Sequence, residues 1–452
     1  MNNDNIGLTT GVVWKKLLRF FLPIAAGTCI QQLYNTVDGL VVGKFVGTIA
    51  LAAVGGSSAQ VINVLIGFFT AMTTGAAVVI AQIYGAGKKN DVQRAAGNAI
   101  AVCVLLGIAL TVFGMIAVPS MLRLLKTPDD TIASSITYLR IYFIGVPFIL
   151  VLNMESNILR SVGDSYSPFI YMVAACISNI VMDFAFVLLF DMGVAGVAVA
   201  TVLAQIINMS LLTRKLMKTQ APYKLSLSDF RLRGHYFAYM MRMGIPAGLQ
   251  SSMYSVSNMI IQIGVNTLGT VVVASWAMTN KVDGICWAVN NAMGSAITTF
   301  VGQNIGAGKL DRVKLCLKQG IILTETITVT LCTLVMLAAK PMLCLLSNDT
   351  AVIDTTYHML WFFVPFYFTW TVIEVLSGFL RGAGDAVKPV IIIGLGVCLF
   401  RVIYIATVFA YFKTLEVLCL AYLTSWTITG TALFIYYRRG RWMNNNTLLH
   451  DK

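Results

Sequence analysis

Apolar residues run through this chain in long blocks, not in the short alternations of a half-buried sheet. Twelve blocks stand out. They lie near 16–43, 50–83, 95–118, 133–156, 167–190 and 193–213, then 237–265, 272–302, 316–340, 354–378, 388–411 and 415–437. A helix crosses the hydrocarbon core with about 20 residues at a rise of 1.5 Å each. Backbone in lipid must pair its own N–H and C=O groups, so each block predicts a helix. The fold class expected is an all-α polytopic membrane protein of twelve transmembrane helices. The two longest blocks are expected to tilt or to extend past the hydrocarbon.

The order of blocks repeats. "GAGK" at 85–88 returns at 306–309, and "LRSVGD" at 159–164 returns as "LRGAGD" at 380–385. Pro23, Pro119, Pro147 and Pro168 find partners about 220 residues on, in Pro246, Pro341, Pro365 and Pro389, leaving only Pro128 and Pro222 unmatched. This is an internal duplication. The one long hydrophilic stretch divides it, predicting an N-terminal six-helix lobe at 1–213, a cytoplasmic linker at 214–236 and a C-terminal six-helix lobe at 237–452. An even number of spans per repeat makes the repeats parallel, related by an axis along the membrane normal. Two such bundles are expected to enclose a central cleft, with alternating access by rocking of one against the other.

Composition agrees. Hydrophobic residues are 58% of 452 and charged residues 11%, where soluble domains carry about 25% charged. Most of the 32 lysines and arginines fall in alternate loops, such as Lys88, Lys89, Arg214, Lys215, Lys218, Lys309 and Arg312. That bias predicts the cytoplasmic (inner) membrane with both termini in the cytoplasm, and it accounts for the net charge of +13 without nucleic-acid binding. No cleavable signal peptide is evident. The nine cysteines form no CxxC pair and read as small core residues. The three histidines (His235, His358 and His450) stand apart, so metal catalysis has no ligand set.

The duplication supplies a control on each costly polar residue. With Arg160 set on Arg381, the offset of 221 places Asn179 on Phe400, Asp183 on Tyr404 and Thr201 on Tyr422. Around Tyr34 and Tyr254 the offset is 220, placing Asp38 on Asn258. Only the first half therefore carries Asp38, Asn179, Asp183 and Thr201. Asn179 and Asp183 are i and i+4 on one helix face, and Gln205 follows Thr201 by four. Two carboxylates, an amide and a hydroxyl in a water-poor bundle can hold a proton or a small hard cation such as Na⁺. The structural alternative is two separate acids, each satisfied by its neighbours. Intramembrane acids mark ion paths by default, which favours the cluster.

The second half carries Lys281, Asp283, Glu325, Glu374 and Arg401 in its spans. Opposite charges in a bundle tend to pair, and Lys281 with Glu374 is the pair expected. Glu374 facing the cleft would instead bind a cationic substrate. Gln31, Tyr34, Asn35, Tyr254 and Asn258 are further candidates for the cleft wall. The 21 Met, 24 Phe, 17 Tyr and 7 Trp suit a soft cavity for varied organic cations, although most must face lipid or core. "GAGK" lacks the spacing of a phosphate loop and reads as a tight turn. Arg160 and Arg381 read as gate, brace or topology anchors.

These features together resemble the multidrug and toxic compound extrusion (MATE) family of secondary antiporters. The resemblance is carried by "YNTVDGLVVG", the "GAGK" turns, "LRSVGD", "SNIVMD", "GVAGVAVAT", "VGQNIGAGK" and "LRGAGDAVKP". It implies two six-helix lobes and cation-coupled export of organic, mostly cationic and lipophilic compounds. The coupling site implied is Asp38, Asn179, Asp183 and Thr201, with Tyr138 as a partner on the fourth span. The coupling ion would be H⁺ or Na⁺, with no cofactor. Partners would be small organic cations and membrane lipids, and the protein would work as a monomer. Branches of the family with acids on spans 7 and 10 match poorly, since span 7 has Asn258 and Glu374 does not clearly match. A flippase for lipid-linked precursors should carry a basic cleft, and only Lys281 and Arg401 lie in spans. An intramembrane enzyme should carry a nucleophile and base or metal ligands.

Overall fold

The computed structural model describes residues 7–232, 234–440 and 442–443. Arg233, Arg441, His450 and Lys452 lie outside the described residues. Among those described there is no strand. The helices are α1 (Val13–Val41, ending in a π-turn at Val42–Val46), α2 (Thr48–Gly85), α3 (Lys89–Leu124), α4 (Asp129–Ser161), α5 (Tyr166–Leu189) and α6 (Gly193–Lys218). The second set is α7 (Gly234–Asn266), α8 (Thr270–Gly306), α9 (Leu310–Leu346), α10 (Thr350–Gly382), α11 (Val387–Phe412) and α12 (Leu415–Arg438). Each apolar block lies within one helix or nearly so, and most helices run on past the hydrophobic limits. Nine of them are long and apolar enough to cross a membrane. The others, α1, α7 and α8, are interrupted by more polar side chains.

The repeated motifs are turns and caps. In both "GAGK" loops the second glycine has positive φ, +73° at Gly87 and +70° at Gly308, a conformation that a Cβ disfavours. In "LRxxGD" the glycines do the same, at Gly163 and Gly384. The brace in this motif is the aspartate and not the arginine. Asp164 accepts from Ser167 N at 2.9 Å and Ser167 Oγ at 2.7 Å, and it pairs with Lys215 at 3.5 Å. Asp385 accepts from Tyr436. The Nε atoms of Arg160 and Arg381 have no hydrogen-bond partner.

Contacts divide the chain into two compact units. One holds Leu22–Gly248; the other holds Leu8–Phe21 and the chain from Leu249 onward. The boundaries fall inside α1 and α7, so each of these helices contributes to both units. Each unit also clasps the segment that leads into its borrowed helix base. In the first, Gln93 Nε2 donates to Asp229 at 2.6 Å, Asn98 to Arg231 O at 3.1 Å and Tyr236 OH to Asp91 at 2.8 Å. In the second, Leu8 N donates to Gln303 Oε1 at 3.0 Å, and Arg312 donates to Gly11 O at 2.7 Å.

Inside the first unit, α3 and α4 pack closely along a shared seam. Pro147 lies within α4 and has no N–H, so it leaves the carbonyl of Phe143 without its helical donor. Thr111 on α3 supplies one, with Oγ1 2.7 Å from Phe143 O. In the second unit Pro365 lies in a short 3₁₀ turn, Val364–Phe366, that breaks α10.

A candidate cation site in the first unit

The first unit gathers the acids that the repeat comparison singled out. Asp38 comes from α1, Asn179 and Asp183 from successive turns of α5, Thr201 from α6 and Tyr138 from α4. The helices meet here because α6 lies against α4 at Gly145, where a Cβ would stand 2.6 Å from Val202. The carboxyl groups of Asp38 and Asp183 lie within hydrogen-bonding range of each other. Tyr34 lies one turn before Asp38 on α1 and faces the same cluster. Tyr138 is buried and packs on Tyr142, ring centroids 6.1 Å apart.

Burial here is deep and the polar atoms are unsatisfied. Asn179 and Asp183 are both 0% exposed. With the two acids written as carboxylates, neither oxygen of Asp183 has a donor, nor does Asp38 Oδ1, and both amide atoms of Asn179 lack partners. Thr201 Oγ1 is turned to Val197 O at 2.9 Å. A buried charge without a partner costs several kcal/mol. A shared proton or a cation between the carboxyls would complete the hydrogen bonding. Beyond Asp38 the site is closed by an apolar cluster of Val41, Val42, Ala50, Val187 and Val197.

A polar cavity of about 350 Å³ opens beside the pair. Tyr34, Gln31 and Asn179 form part of its wall, with Asn153, Ser156, Gln205, Asn208 and Arg160. Asn35 is exposed and donates to Gln32 Oε1 at 3.5 Å. Gln31 and Tyr34 are thus in a cavity wall within one unit, and Asn35 is not.

In the second unit the polar residues are handled differently. The expected Lys281–Glu374 pair does not form: Lys281 is exposed and Glu374 is buried, with no ion pair to join them. Glu374 interacts electrostatically with Arg381 instead. Its carboxylate sits against Gly294, where a Cβ would stand 3.1 Å from Oε2. Asp283 accepts from Trp287 Nε1 at 2.7 Å. Arg401 donates to Ser425 Oγ at 3.0 Å and lies over the Tyr422 ring at 3.8 Å. Charges here are met by rings and hydroxyls more than by each other, because guanidinium and aromatic face attract without the geometry an ion pair demands. Tyr254 packs edge-on to Trp370, centroids 5.8 Å apart, and Asn258 is exposed. Cys344, expected in the core, is exposed.

One acid escaped the sequence reading. Glu155 on α4 is 1% exposed, and its place in the second half, at the same offset of 221, is Leu376. The comparison that found Asp38 and Asp183 would have found it too.

The fold defines a class. Apolar helices in two repeats, with a pair of acids beside a polar cavity in the first, make a polytopic membrane transporter architecture. The chain belongs to the MatE family, whose profile matches residues 23–185 and 246–407, one segment in each half. It is 30% identical to "Probable multidrug resistance protein YpnP" of Bacillus subtilis (strain 168), over 96% of this chain and 97% of that one. It is 24% identical to "Probable multidrug resistance protein NorM" of Thermotoga maritima, over 97% and 95%. A relative from Shewanella oneidensis, 23% identical over 78% of each, is named "FAD transporter". Among solved structures, a multidrug resistance MATE family transporter in an outward-facing conformation superposes with a TM-score of 0.90, at 22% identity, over 97% of this chain and 98% of that one. The protein is therefore a multi-pass membrane transporter of the MATE type with twelve helices in two six-helix repeats. It is not an enzyme.

Proposed function

We propose that this protein exports organic, mostly cationic and lipophilic, compounds in exchange for H⁺ or Na⁺ by alternating access. The observation that carries the reading is the Asp38–Asp183 pair, a half-buried and a fully buried carboxyl within reach of each other, with Asp38 Oδ1 and both Asp183 oxygens lacking donors. Such a pair is one proton or one cation short of a satisfied site. A ligand moves a conformational equilibrium only by its differential affinity for the two states. Cation binding at Asp38 and Asp183, assisted by Asn179, Thr201 and Tyr138, would favour the state that releases substrate outside. Loss of the cation inward would reset the unit.

The second unit supports coupling in the first. Where the first has Thr201, the second has Tyr422 with the Arg401 guanidinium lying over it, a resident cation that repels another. The multidrug names of the relatives support the substrate class. The remaining parts of the reading are residence in the cytoplasmic (inner) membrane, both termini in the cytoplasm, action as a monomer, and Gln31 and Tyr34 as substrate contacts in the cavity of the first unit.

The test is efflux of a fluorescent lipophilic cation from proteoliposomes under an imposed pH or Na⁺ gradient. Asp38→Asn together with Asp183→Asn should abolish gradient-driven uphill transport while the protein still folds. Uphill transport by that double variant would sink the reading. FAD, the cargo named for one relative, belongs in the assay as an anionic competitor.

A further inference from the structure

Glu155 is a buried acid that the coupling scheme leaves unused. It lies on α4, roughly 26 Å along the helix from Tyr138 at 1.5 Å per residue. Its Oε1 is 2.5 Å from the Thr213 hydroxyl on α6, and its Oε2 has no partner. Thr213 Oγ1 also lies 2.9 Å from Met209 O. A hydroxyl has one proton to give, so the two contacts compete for it.

The two protonation states can be weighed. Ionised, Glu155 would be a nearly inaccessible charge with one donor, one bare oxygen and no ion pair, a state that costs several kcal/mol. Protonated, its O–H donates to Thr213 Oγ1, Thr213 donates to Met209 O, and each proton has an acceptor. Among the described residues, no charged group at this end of the helices that pack on α4 forms an ion pair with Glu155. On α3, Asp91 is held by Arg94 and Tyr236. On α6, Lys215 is held by Asp164. Arg160, on α4 itself, lines the cavity wall. The fold does not need an acid here, because Leu376 fills the equivalent place at 0% exposure.

Asn153 and Ser156, neighbours of Glu155 in sequence, line the polar cavity whose wall also includes Asn179 and Tyr34, while Glu155 itself faces Thr213 on α6. We propose that Glu155 is a second proton-binding site of the first unit. It is held as a neutral carboxylic acid against Thr213, and it exchanges its proton with that cavity as the Asp38–Asp183 pair loads and unloads. In the exchange Glu155 gives its proton to water at the Arg160 end and takes up the one the pair releases, so no charge accumulates. The exchange role rests on the proton-coupled reading above; the protonation of Glu155 does not.

The test is infrared spectroscopy of the full-length protein in lipid, read at the carbonyl band of protonated carboxyl groups near neutral pH. Part of that band should vanish in Glu155→Gln and persist in Asp38→Asn with Asp183→Asn. Glutamine keeps the shape and a donor for Thr213, and Glu155→Leu, the residue of the other repeat, controls for folding. In proteoliposomes both Glu155 variants should lose proton-driven efflux while binding of the fluorescent cation is retained. An unchanged band in Glu155→Gln overturns the protonated site. A lost band with a wild-type pH profile of efflux overturns the exchange role. Proton-driven efflux by the Asp38/Asp183 double variant would overturn the coupling assignment alone, since the Glu155 band is read independently of it.

Discussion

At the scale of single residues, the chemistry here follows from what each polar atom lacks. Asp183 has no donor and Asn179 no partner of either kind, so each is a place where a ligand adds more than it displaces. Asn179→Leu should therefore preserve folding yet lower cation-coupled efflux, because it removes a polar wall of the site without stranding a buried charge. Thermal unfolding read beside transport separates the two effects. Glu374 contrasts with this. Its carboxylate is screened by Arg381 and wedged at Gly294. Glu374→Gln keeps the side chain's shape against Gly294, so efflux per folded molecule should fall less than for Asp183→Asn. The acids of the first unit were legible in sequence because the duplicated half shows the same fold built without them. Glu155 was equally legible by that comparison. The failure of Lys281 and Glu374 to pair was not, since side-chain direction on a helix depends on register against its neighbours, and sequence gives only the order of residues.

At the scale of elements, helix existence was readable and helix shape was not. Hydrophobic length marks a span, but the ends follow turn chemistry, so α4 and α8 continue past the apolar limits. Proline effects divide on a neighbour. Pro147 leaves Phe143 O without a helical donor, and Thr111 of α3 repairs it; at Pro365 the helix takes a 3₁₀ turn instead. Thr111→Val keeps the volume and removes the donor, and should destabilise the protein by about 1–2 kcal/mol, seen as a lower unfolding midpoint in detergent. Gly114→Ala on the same seam should cost about 1–3 kcal/mol as an overpacked contact, since a Cβ would stand 2.1 Å from the Phe143 ring.

At the scale of the whole molecule, the duplication gave the number of repeats and their parallel sense, while contacts decided which residues belong to which unit. The base of α1 packs with the second unit and the base of α7 with the first, a division that no hydrophilic linker announces. Arg312 holds the entry to α1 through Gly11 O at 2.7 Å and Leu8 O at 3.2 Å. Arg312→Ala should expose Lys15 and Lys16 to trypsin sooner than in the native protein, checked by a time course of N-terminal cleavage. Twelve crossings also predict that tags at the two ends are cleaved from the same side of the membrane.

Hydrophobic blocks, the repeat and the asymmetry of its acids are properties of residue order. They suffice for fold class and family, and they single out the acids of the candidate cation site, because burial in lipid leaves the backbone one choice and makes every charge conspicuous. Tertiary structure alone decided which polar groups meet. The Asp38–Asp183 contact, the neutralisation of Arg401 by a ring and the isolation of Glu155 beside Thr213 each depend on how helices distant in sequence are rotated against one another. That rotation is set by packing at places such as Gly145 and Phe143, and not by any residue's own preference.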